Sequence, residues 1–108
     1  MNIWALKKDV TIKHLLLLLD QSFGENALNI VIEKDDFKAV RFSKTGDSTL
    51  SVYVYTYAQN EEHYGVHLEY PDLLETSINN TLDIYDNVNY ESLCDLVQAH
   101  LDINPIEV

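Results

Sequence analysis

The chain has 108 residues, 46% of them hydrophobic and 23% charged, with three Gly and two Pro. That length fits one domain, able to bury roughly two-thirds of the surface its unfolded form exposes, and the composition excludes disordered, collagen-like and low-complexity classes. A formal net charge of −11, from 7 Lys plus Arg against 18 Asp plus Glu, argues against direct binding to a nucleic-acid phosphate backbone.

The residues Met1 to Lys8 lack the apolar core and small-residue cleavage site of an export signal, and the longest unbroken apolar run, Leu15 to Leu19, is far too short to span a bilayer. The expectation is a cytoplasmic protein with no membrane partner. The single cysteine, Cys94, rules out an intrachain disulfide and reads as a small buried hydrophobe.

The first element is a predicted helix with Thr11 as N-cap, Val10 and Leu15 as a hydrophobic staple and Gly24 as the left-handed cap. Ile12, Leu15, Leu16, Leu19 and Phe23 form its core stripe. Leu17 and Leu18 widen that stripe beyond what one sheet face needs. Either the helix is covered on two sides, or these leucines belong to an oligomer or partner surface.

Four strand-like runs follow, Ala27 to Glu33, Phe37 to Lys44, Thr49 to Gln59 and His63 to Tyr70. Their short polar connections imply antiparallel neighbours. Period-two reading puts Leu28, Ile30, Ile32, Val40, Phe42, Leu50, Val52, Val54, Val66 and Leu68 on the core face. The opposite face carries Asn29, Val31, Glu33, Arg41, Tyr53, Tyr55, Tyr57, His63, His67 and Glu69. A helical turn at Asp72 to Ile78 and a short strand at Thr81 to Tyr85 come next. The last helix starts from an Asn89 N-cap, with a Val88–Leu93 staple and Leu93, Leu96, Val97 and Leu101 as its stripe. The predicted fold is one α+β domain over residues 1–108, an antiparallel sheet of four to five strands with an N-terminal and a C-terminal helix.

No residues assemble a nucleophile with a base, a phosphate loop or a metal set, so neither an enzyme nor a cofactor is expected. His63 and His67 flank Gly65 in a strand-like run, too far apart along the chain to share one ion. Asp83, Asp86, Asn87 and Glu91 lack the spacing and the central glycine of an EF-hand loop. The charge distribution is more telling. Every Lys and Arg lies in residues 1–44, which net +1, whereas residues 45–108 hold 12 acids and no Lys or Arg. Such asymmetry favours a basic protein partner, or serves solubility alone. Tyr53, Tyr55 and Tyr57 alternate on one strand and are read either as the floor of the last helix or as interface anchors. Together with Glu61, Glu62, His67 and Glu69 they form the predicted partner-binding set, with Tyr55 as its centre.

In size, acidity and lack of an active site, the whole chain resembles the immunity proteins of bacterial toxin systems, especially those of contact-dependent inhibition. The resemblance implies a non-catalytic monomer that binds a basic, nuclease-like toxin one to one and occludes its active site. Residues 11–59 also resemble the acidic type III secretion chaperones, with a Leu-rich helix followed by three strands. Past residue 60 the glycine-rich segment and long final helix of those chaperones are missing. A third likeness is to phage-encoded nucleic-acid mimics such as anti-CRISPR proteins.

Overall fold

The computed structural model describes residues 3–31, 37–70 and 82–106. After a 3-10 turn at Ile3–Ala5, helix α1 runs Val10–Phe23. Its N-cap is Asp9, not Thr11: the Asp9 carboxylate accepts the Thr11 N–H at 3.1 Å and the Thr11 hydroxyl as well. An ionised carboxylate at the positive helix end gains more than a hydroxyl does, so Asp9 takes the cap and Thr11 becomes its partner. Gly24 ends α1 and donates its N–H to the Asp20 carbonyl, but at φ +97° and ψ 152° it is extended beyond the predicted left-handed helical cap, a conformation open to glycine.

Five strands form one antiparallel meander in chain order: β1 (Leu28–Val31), β2 (Ala39–Lys44), β3 (Asp47–Tyr55), β4 (Tyr64–Glu69) and β5 (Leu82–Val88). With a helix at either end this is the predicted α+β architecture. Helix α2 (Tyr90–Leu101) starts at Asn89, whose side chain accepts the Ser92 N–H at 2.8 Å. Strand β3 stops at Tyr55, four residues before the predicted end, because the chain turns through Ala58 at φ +58°. Strand β5 instead extends past Tyr85 to Val88, helped by an irregular register opposite Tyr64 to Val66 and by Asn87 at φ +53°. The expected Ile32, Glu33 and the helical turn at Asp72 to Ile78 lie outside the described residues.

Both helices lie on the same sheet face. Ile12, Leu15, Leu16, Leu19 and Phe23 of α1 and Leu93, Val97 and Leu101 of α2 share one core with Val40, Phe42, Val52, Val54, Val66 and Leu68. The tyrosines are therefore not the floor of α2. Leu17 packs at the margin of this core, so one of the two surplus leucines is absorbed by the fold. His100, absent from the predicted stripe, is buried on α2, and its Nε2 lies 3.0 Å from the Ser51 carbonyl and 2.9 Å from that of Glu69. Donation from this nitrogen pins α2 to β3 and β4. Among the described residues, no helix is long and apolar enough to cross a membrane.

Candidate functional site

The sheet face away from the helices is built row by row from the strand register. Arg41, Tyr53 and His67 are paired neighbours across β2, β3 and β4, and Ala39, Tyr55 and Gly65 form the adjoining row. Paired residues of an antiparallel sheet share a face, so these side chains meet. The Arg41 guanidinium carbon stands 4.9 Å from the Tyr53 ring centroid, and His67 lies 5.6 Å from it on the other side. Arg41 also donates to both Glu69 oxygens, at 2.6 and 3.1 Å, and the Ser51 hydroxyl adds a third bond at 2.8 Å. Burial alone would raise the Glu69 carboxyl. The Arg41 and Ser51 hydrogen bonds, with the nearby charges of Arg41 and His67, outweigh it and leave Glu69 below the usual carboxylate range.

Tyr55 is held more tightly still. Its ring lies over Gly65, where a Cβ would overlap it, stacks on Tyr57 at 4.6 Å and meets His67 edge-on at 5.2 Å. Its hydroxyl donates to Asp86 Oδ1 at 3.0 Å. Burial, reinforced by the Asp86 carboxylate, pushes this phenol up to about 12. Tyr53 and Tyr55 are only 9% and 7% exposed although neither helix covers them, whereas Tyr57, just beyond β3, is 48% exposed. Of the predicted set, then, Tyr53, Tyr55, Tyr57, His67 and Glu69 do converge, but their bonds and rings are largely turned on one another. Tyr57 is the most exposed ring among the three tyrosines, with one face stacked on Tyr55.

Glu61 and Glu62 are placed elsewhere. They sit in the β3–β4 connection, which is tied to β5 by two reciprocal bonds, Asn60 N–H to Asn87 Oδ1 at 2.7 Å and Asn87 N–H to Gln59 Oε1 at 2.6 Å. Glu62 takes a left-handed backbone, φ +58°, uncommon for a residue with a side chain. This connection faces α1 and the start of α2 across two hollows of about 290 and 430 Å³. His14, Glu62, His63 and Tyr64 line both, and Leu18, Tyr90 and Glu91 close the second.

These groove residues come from three separate segments; Glu61 and Glu62 belong to the predicted partner-binding set, and Leu18 to the surplus leucines read as either covered or part of an oligomer or partner surface. His14 and Leu18, one helical turn apart and off the core stripe, were the available signal for the rest. Elsewhere, burial raises the half-buried Cys94 thiol, which keeps it protonated and a poor nucleophile. No three His, Cys, Asp or Glu side chains converge on a common metal position among the described residues. In comparisons with family models, curated proteins and solved structures, the chain matches none.

Proposed function

We propose that this protein is a non-catalytic inhibitor of the immunity-protein type, which binds a basic toxin domain one to one and covers its active site. The observation that carries this reading is where the acids stand. Asp47, Glu61, Glu62, Asp83, Asp86, Glu91, Asp95 and Asp102 are all exposed. On α2, helical spacing aligns Glu91, Asp95 and the cap residue Asp102 on the side opposite Leu93 and Val97. Local cations offset only part of them: Arg41 is engaged by Glu69, and Lys44, whose ammonium donates to the Asp102 carbonyl, acts on Asp47 at the same corner of the molecule. Exposed charge of one sign steers a basic partner into encounter and penalises wrong partners, at the cost of self-repulsion in the free protein.

Occlusion requires surface area, not chemistry, and a cytoplasmic monomer meets that requirement. The packing of Leu17 against the core leaves less leucine surface for the dimer that a secretion chaperone would need. The resemblance to immunity proteins implies that the partner is encoded beside this chain. The test is to express the C-terminal domain of the neighbouring upstream gene in cells with and without this protein. Growth arrest relieved by this chain supports the reading; a neighbour without toxicity, or toxicity that this chain does not relieve, counts against it.

A further inference from the structure

The groove between the β3–β4 connection and the two helix N-termini has an apolar floor and an acidic rim. Leu18 and the rings of Tyr64 and Tyr90 supply the floor, with the Tyr90 hydroxyl already bonded to Ser22 at 2.7 Å. Glu62 and Glu91 stand at the rim of the larger hollow and Glu61 at that of the smaller. Among the described residues, no side chain forms a hydrogen bond or ion pair with these three carboxylates. One acid here is already committed, since Asp9 caps α1, and Lys38, the one Lys or Arg of the lining among the described residues, acts on Asp9.

We infer that this groove is the seat of a basic segment of the partner, entered by an arginine side chain whose guanidinium reaches Glu62 and Glu91. The inference rests on the inhibitor reading above and names the place where it acts. Arginine suits both halves of the groove. Its planar, weakly hydrated head stacks on aromatic rings and pairs with carboxylates, while its methylenes lie along apolar side chains such as Leu18. An anionic occupant would be repelled by the full charges of Glu62 and Glu91, which exceed the partial positive charge of the two helix N-termini, already capped by Asp9 and Asn89, and a second copy of this chain would bring another −11 charges with it.

The test is an NMR titration with acetyl-Gly-Arg-Gly-Arg-Gly amide, using the citrulline analogue as the uncharged control of the same shape. Saturable shifts are expected at His14, His63, Tyr64 and Tyr90 with the arginine peptide and not with citrulline. Glu62→Gly with Glu91→Gln should weaken binding about fivefold or more. Glycine suits the left-handed backbone at Glu62, so the fold is kept. Asp47→Asn with Asp102→Asn changes the charge equally at the other end of the sheet and should leave affinity unchanged. Shifts centred elsewhere, equal affinity in both double variants, or no saturable shift at the groove residues overturns the inference. The inhibitor reading is judged separately, by rescue from the neighbouring toxin.

Discussion

At the scale of single residues, the tyrosine face depends on one missing side chain. Tyr55 can lie flat across β4 only because residue 65 has no Cβ. Gly65→Ala should therefore displace the ring, together with its Asp86 bond and its contacts to Tyr57 and His67, at a cost of about 1–3 kcal/mol. Tyr55→Phe, which removes only the hydroxyl, should cost about 1 kcal/mol. Urea unfolding midpoints would check both, and a Gly65→Ala variant as stable as the parent would mean that the glycine is not required for the ring. Glu69 makes a second residue-level expectation, this time in pH. Its folded-state pKa is depressed, so the fold favours the carboxylate; that contribution is complete above the ordinary glutamate value and is lost as pH falls through the lower folded value. Glu69→Gln should accordingly flatten the acid limb of stability below about pH 4.3.

At the scale of elements, α2 is fixed to the sheet by more than its leucines. His100→Leu would leave the Ser51 and Glu69 carbonyls without their donor, costing about 1–3 kcal/mol. Hydrogen exchange should show α2 amides losing protection while those of α1 keep theirs; uniform loss across both helices would contradict this. The helices and the core face of the sheet were legible because burial leaves a period in the sequence, 3.6 for Leu93, Val97 and Leu101 and two for Val52 and Val54. The α1 cap was misplaced because Asp9 and Thr11 are both good capping residues, and only their mutual bonds show which one caps. The side of the sheet taken by α2 was not legible, since its apolar stripe would fit under either face. The choice is physical: the outer rows satisfy one another through Arg41, Glu69 and the stacked rings, whereas Val54, Val66 and Leu68 need a cover. The groove was hidden for a different reason. His14, Glu62 and Tyr90 lie on three segments, and periodicity within one segment says nothing about which loop end meets which helix end.

At the scale of the whole molecule, the net charge of −11 bears on stability and, in the proposed reading, on recognition. Exposed like charges repel within the folded chain, and salt screens them over roughly 10 Å at 0.1 M ionic strength. Thermal stability should rise with added salt. Asp20 adds a pH dependence of its own, because burial, with Glu25 nearby, raises its folded pKa: its contribution is complete below the ordinary aspartate value and is lost as pH rises through the higher folded value. Melting curves across salt and pH would check both; a melting temperature that falls with salt would contradict the first, and an acid limb unchanged by Asp20→Asn the second. The central claim is that this charge exists to capture a basic partner, and stopped-flow association with the polypeptide encoded by the neighbouring upstream gene tests it most directly. The expected result is an association rate that falls steeply as salt is raised, with a shallower dependence when Glu61, Glu62 and Glu91 are changed to Gln. A rate indifferent both to salt and to those three substitutions would contradict it.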